Sequence, residues 1–155
     1  MTPRPSFDAR RRQLLAAGAG IGLIALTRPV LAAPDTLAQA IAAFAGDRPV
    51  TAGRVVLDVA TLVDNGNTVP ISVTVDSPMT AASHVTAIAV FNERNPQRDV
   101  ARFLLTQRSS RAHVSTRIRL ATSQKLTAVA RMNDGSCWSQ TVDVVVTLAA
   151  CIEGD

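Results

Sequence analysis

The chain has 155 residues, 16 of them basic and 12 acidic, and its few aromatics are four Phe and one Trp with no Tyr. Five basic residues and one acidic residue fall within positions 1–32, so residues 33–155 carry 11 of each sign and no net charge. That balance removes the electrostatic footprint of nucleic-acid binding, and the 123 residues beyond position 32 suffice for one domain with its own core.

The first segment reads as an address rather than as part of the fold. "RRRQLL" (10–15) precedes an apolar, Gly/Ala-rich stretch. It ends in "TRPVLAA", with Val30 and Ala32 at the small-residue positions of a cleavage site. Basic, then apolar, then small is the order of an export signal. Arg11 and Arg12, followed by Gln13, Leu14 and Leu15, match the bacterial twin-arginine pattern. The apolar run from Leu14 to Leu26 has 13 residues, short of the roughly 20 that span a bilayer. The expectation is a cleaved signal over 1–32, a periplasmic location and no membrane anchor in the mature form.

"PDTLAQAIAAFAGD" (34–47) predicts a short helix. Asp35 or Thr36 can cap its start, Leu37, Ile41 and Phe44 recur at helical spacing, and Gly46 stops it. Three turns need a surface to pack on. Strand patterns follow. "RVVLDVA" (54–60) places Val55, Leu57 and Val59 on one face. "DNGN" (64–67) is a turn, and "VPISVTVDS" (69–77) alternates cleanly, with Pro70 marking an edge position or the start of a strand. "HVTAIAVFNE" (84–93) reads as Val85, Ala87, Ala89 and Phe91 on one face, with Ile88 and Val90 opposite. "RNPQRD" (94–99) is a turn, and "VARFLLT" (100–106), "AHVSTRIRLA" (112–121) and "KLTAVARM" (125–132) are strands. "NDG" (133–135) is a hairpin turn, since Asp-Gly tolerates positive φ. "CWSQTVDVVVTL" (137–148) closes the series with Trp138, Val142, Val144, Val146 and Leu148 on one face. About seven short strands with frequent turns predict an all-β chain: an immunoglobulin-like antiparallel β-sandwich with a short N-terminal helix. The divisions are 1–32, the sandwich over 33–148, and a C-terminal arm over 149–155.

Recognisable catalytic chemistry is absent from the sequence. His84 and His113 are placed on different strands, and there is no H-x-x-x-H, C-x-x-C, clustered carboxylate, G-x-S-x-G elbow or phosphate loop. Neither a metal nor a cofactor is expected. In "STRIRLA", alternation puts Arg117 and Arg119 on one face of a strand, where two guanidinium groups can hold an anion together, contact a partner or stay solvated. The two cysteines sit at either end of a segment without Gly, Pro or a turn cluster. If residues 138–148 form one extended strand, its ends lie on the order of 35 Å apart, and a disulfide needs Cα atoms within about 7 Å. Both thiols are then free or pair with other chains. Cys137 follows a hairpin turn and reads as structural or incidental. Cys151 lies beyond the last strand, where a thiol is poor for packing and good for being reached.

The stretches "DNGNTVPISVTVDSPMT" (64–80), "VTAIAVFNERNPQRDVARFLL" (85–105), "STRIRLATSQKLTAVARMNDGS" (115–136) and "VDVVVTLAAC" (142–151) resemble the SoxY family of the bacterial sulfur-oxidising (Sox) system. The resemblance implies an immunoglobulin-like sandwich that works in the periplasm as a heterodimer with a second small β-protein, SoxZ. It implies a non-enzymatic carrier whose C-terminal cysteine, by position Cys151, holds sulfur intermediates covalently. Its Sox enzyme partners would be a c-type haem enzyme that joins thiosulfate to the thiol, a manganese hydrolase that releases sulfate, and a molybdenum/haem enzyme that oxidises the remaining sulfane. The arm departs from the family's Gly-Gly-Cys-Gly-Gly. Ala149 and Ala150 stiffen the backbone ahead of Cys151, Ile152 adds a branched neighbour, and Glu153 and Asp155 add negative charge. At ~7 Å in water each charge repels a thiolate by about 0.6 kcal/mol. The altered arm also fits a second expectation, a non-carrying paralogue that keeps only the interaction module. A third is a covalent dimer through Cys151.

Overall fold

The computed structural model describes residues 36–46 and 48–148; the predicted export signal, Asp35, Asp47 and the arm 149–155 with Cys151 lie outside the described residues. Helix α1 spans Leu37–Ala45. Of the two candidate caps, Thr36 makes a capping box: its hydroxyl accepts from the Gln39 N–H at 3.2 Å, and Gln39 Oε1 accepts from the Thr36 N–H at 3.2 Å. Gly46 ends the helix in the left-handed conformation (φ 66°), which favours glycine, and donates its N–H to Ala42 O.

Among the described residues nine strands follow: β1 Val50–Ala52, β2 Val55–Asp58, β3 Leu62–Val63, β4 Val69–Val75, β5 Val85–Asn92, β6 Asp99–Leu104, β7 His113–Ile118, β8 Gln124–Met132 and β9 Cys137–Val146. One sheet runs β1-β9-β8-β5-β6, with β3 also on β9, and the other runs β2-β4-β7. The two form an immunoglobulin-like β-sandwich, as the alternating runs predicted. Most neighbours are antiparallel, but β1 and β3 both pair with β9 in parallel, at Cys137–Ser139 and Val145–Val146. These two strands are too short to show alternation in the sequence, so the count rises from seven to nine. Pro70 sits at the start of β4, which is the central strand of its sheet rather than an edge. Pairing to β2 reaches only Ser72, so the missing Pro70 N–H breaks no ladder on that side.

The space between the sheets is filled by Val55, Leu57, Val69, Ile71, Val73, Val75, Ile88, Val90, Leu126, Ala128, Ala130 and Val144, all buried. Val85 belongs to this inner face too, against the simple alternation of residues 84–93. A bulge between Val85 and Ala87 shifts the register by one, which moves a side chain across the sheet. The opposite face of β5 and β8 is also buried, because α1 lies on it. Phe44 (3 % exposed) packs edge-on to Phe91 with ring centroids 5.9 Å apart. The Arg102 and Arg131 guanidinium groups each stand 5.3 Å from the Phe44 ring. Ala87, Ala89, Val129 and Cys137 complete this second cluster. It explains why two central strands read as nearly continuous apolar runs rather than as half-buried ones.

Candidate functional site

The functional question concerns the end of β9, since Cys151 follows it by five residues. β9 runs unbroken from Cys137 to Val146, on the order of 30 Å at ~3.3 Å per residue. At its far end the chain is held from both sides. Val145 N donates to Thr61 O at 2.8 Å, Thr147 N to Val63 O at 3.0 Å, and Gly66 N to Leu148 O at 2.8 Å. Thr147 Oγ1 adds a bond to Asp64 O at 3.1 Å. From the other side Ser123 Oγ accepts from Val146 N at 2.9 Å. Gly66 O then accepts from Leu120 N at 2.8 Å, tying this point to the chain that leaves β7. The "DNGN" turn supplies the geometry: Asn65 Oδ1 accepts from Asn67 N at 2.9 Å, an Asx turn that brings Gly66 against Leu148. Leu148 therefore marks the fixed root from which residues 149–155 continue. It is itself outside β9 and 61 % exposed, so it does not extend the apolar face of the strand.

A polar network underneath braces the same end. Asn95 Nδ2 donates to Arg119 O at 2.8 Å, while its Oδ1 accepts from Ala121 N at 3.0 Å and from Gln124 Nε2 at 2.7 Å. The buried Asn92 side chain accepts from Asn95 N at 3.0 Å and donates to Gln97 O at 2.9 Å. Arg98 Nη1 donates to Glu93 O and Asn95 O. Sequence reasoning treated residues 94–99 only as a turn. The signal was there in Asn92 and Asn95 ahead of Pro96, since Asn side chains replace backbone partners in such loops.

Arg117 and Arg119 are both exposed, and they line different openings. β7 ends at Ile118, because the chain turns after it to let Leu120 N reach Gly66 O. Arg117 lines an open groove with Asp58, Pro70, Ser72 and Ser115. Arg119 lines a separate cleft with Asn95, Pro96 and Gln97. Among the described residues neither forms an ion pair. The histidines are also apart. His113, at the start of β7, sits between Thr74 Oγ1 (2.9 Å from Nδ1) and Ser115 Oγ (3.1 Å from Nε2). His84 precedes β5 and places Nδ1 3.0 Å from Thr80 O. No three His, Cys, Asp or Glu side chains converge among the described residues.

Cys137 is a free thiol, 2 % exposed, against α1 and facing Gly135 O at 3.8 Å. Burial pushes its pKa above the ordinary thiol value, with nearby Arg131 and Arg48 opposing that rise. A buried, protonated thiol is a poor nucleophile.

The sandwich thus holds the chain by backbone bonds as far as Leu148, three residues before Cys151 in the sequence. The family described as "Sulfur oxidation protein SoxY" matches residues 41–151, and the chain belongs to that family. Its structure is similar to that of the sulfur carrier protein SoxY from Chlorobium limicola f thiosulfatophilum: 28% identity, a TM-score of 0.62, and coverage of 72% of this chain and 91% of that one. The sandwich also resembles a superoxide reductase (neelaredoxin) from Ignicoccus hospitalis, at 16% identity, a TM-score of 0.55 and coverage of 61% and 80%. A putative superoxide reductase from Thermotoga maritima gives 22% identity, a TM-score of 0.53 and coverage of 66% and 89%. At those identities the likeness is one of fold. No curated protein matches the chain.

Proposed function

We propose that this chain is a periplasmic carrier that holds thiosulfate-derived sulfur intermediates covalently on Cys151 and presents them to Sox enzymes. The observation that carries the reading is the contrast along β9. Its first residue, Cys137, is buried with its thiol pKa raised, which argues against it as the carrier, and its far end is held as far as Leu148, three residues before Cys151 in the sequence. The family match extends to residue 151.

Joining the thiol to the outer sulfur of thiosulfate forms an S–S bond. It releases one proton and two electrons, which a c-type haem enzyme would accept. Water would then attack the terminal sulfonate at a manganese hydrolase, releasing sulfate and leaving a persulfide on Cys151. A molybdenum/haem enzyme would oxidise that sulfane. The chain turns over nothing alone, and it would work as a heterodimer with a SoxZ-like subunit after export through its 1–32 signal.

Reconstitution tests this reading. With the second subunit and the three enzymes, the wild-type chain should support sulfate release from thiosulfate, and Cys151→Ser should support none. Equal sulfate release by both would contradict the carrier role. The departure of "AACIEGD" from the glycine-flanked arm favours one second reading, a non-carrying SoxY paralogue that acts as an interaction module. It predicts heterodimer formation with no sulfate release from either protein.

A further inference from the structure

Five asparagines occur in the chain, and Asn65 is the one that a glycine follows. The Asn65–Gly66 step lies in the turn that meets the end of β9, with Asn65 exposed and Gly66 buried. Asparagine is among the thermolabile residues. The amide nitrogen of the next residue can attack its side-chain carbonyl carbon, and a following glycine has no side chain to shield that nitrogen. Two features of this turn act on the reaction in opposite directions. The Asn67 N–H, 2.9 Å from Asn65 Oδ1, polarises the carbonyl and stands where negative charge develops on attack. The attacking nitrogen is itself engaged: Gly66 N donates to Leu148 O at 2.8 Å, and Gly66 O accepts from Leu120 N at 2.8 Å. A hydrogen bond made by the neutral N–H favours it over the deprotonated nitrogen that must attack. Bonds on both sides of Gly66 also hold it against the rotation that ring closure needs.

We propose that Asn65 is a deamidation site governed by the Gly66–Leu148 hydrogen bond. The turn activates the side chain, the bond withholds the nucleophile, and reaction follows local opening at the end of β9. Gly66 N gives up its proton and bonds to Asn65 Cγ. The bond from Cγ to the side-chain nitrogen breaks, ammonia leaves with that proton, and a succinimide ring forms. Water then opens the ring at one of its two carbonyls, leaving aspartate or isoaspartate at position 65. No oxidant or reductant takes part. In the isoaspartate the main chain passes through the former side-chain carbonyl carbon. That extra carbon puts Gly66 out of step with Leu148 and Leu120, so the clamp does not close again. The restraint prevails in the folded chain because opening must break both Gly66 bonds, while activation needs one contact inside the turn. The inference does not depend on what Cys151 carries.

The test incubates the full chain at mildly alkaline pH, folded and in concentrated urea, and follows each asparagine by peptide-resolved mass spectrometry. In urea, Asn65 should convert faster than the other four. Folded, its conversion should be about tenfold or more slower, since the two Gly66 bonds must open first. Ser123→Ala and Thr147→Val each remove a side-chain bond from the same end, to Val146 N and to Asp64 O. Each should speed conversion of the folded chain severalfold and leave the urea rate unchanged. Ile41→Ala loosens α1 at the other end of β9 and should leave both rates unchanged. The isoaspartate product should exchange its Gly66 and Leu120 amide hydrogens faster than wild type. Asn65→Asp, which adds the charge without the extra carbon, should keep the slow exchange. Equal rates in the folded and urea-unfolded chain would overturn the proposal. So would folded rates that ignore Ser123→Ala and Thr147→Val, or that rise as much with Ile41→Ala, which would tie the reaction to unfolding of the whole sandwich.

Discussion

The two ends of β9 carry opposite solutions to one problem, how a small sandwich handles a thiol. At the start, Cys137 is closed in by α1, Phe44 and the Asp134–Ser136 turn. At the finish, the strand is exposed and apolar at Val145 and held by backbone bonds to Thr61, Val63 and Gly66. Burial makes the first thiol inert. At the second end the backbone is held as far as Leu148, and the proposed carrier thiol, Cys151, follows three positions on in the sequence. The lesson is that the elements packed on the start of the strand, and not the cysteine itself, make Cys137 a buried thiol with a raised pKa.

The comparison breaks most visibly on substitution of the thiols. Cys151→Ser should abolish sulfur carriage without shifting the urea midpoint, while Cys137→Ser should keep carriage; intact mass and urea melts of both variants check this. Next in size is Phe44→Ala. Removing a buried aromatic costs about 3–5 kcal/mol, read from urea unfolding, and uncovering the outer sheet face should speed alkylation of Cys137 in the folded protein. Ser123→Ala should act only at the other end. It leaves Val146 N without its partner at a cost of about 1 kcal/mol, seen as faster hydrogen exchange at the Val146 amide. The smallest effect is one of pH. The Cys137 thiol has its pKa raised by burial, so the stability it contributes is present below the thiol's unfolded pKa and is lost as pH rises through the folded value. Alkaline urea melts should show that loss in wild type and less of it in Cys137→Ala.

Much of the fold was legible in the residues. Thr36, Leu37, Ile41, Phe44 and Gly46 announced the helix, because caps and a 3.6-residue period are local signals. The long strands β4, β8 and β9 appeared where alternation or apolar runs were long. β1 and β3 did not, since two or three residues carry no period and their pairing with β9 is set by the whole sandwich. The side of Val85 was misjudged because a single bulge reverses alternation without leaving a mark in composition. Of the candidate site, the turn at 64–67 was legible, while Cys151 lies outside the described residues. The clamp at Thr61–Gly66 and Ser123 was not, since it consists mostly of backbone bonds that any sequence can offer. Arg117 and Arg119 looked paired because the pattern of alternation runs one residue past the end of β7.

The most direct measurement is peptide-resolved mass spectrometry of the chain purified from cells growing on thiosulfate, without reducing agent. Thiosulfonate or persulfide adducts are predicted on the peptide containing Cys151, with Cys137 unmodified. A Cys151 peptide found only as free thiol, or adducts confined to Cys137, would contradict the assignment of the two ends of β9.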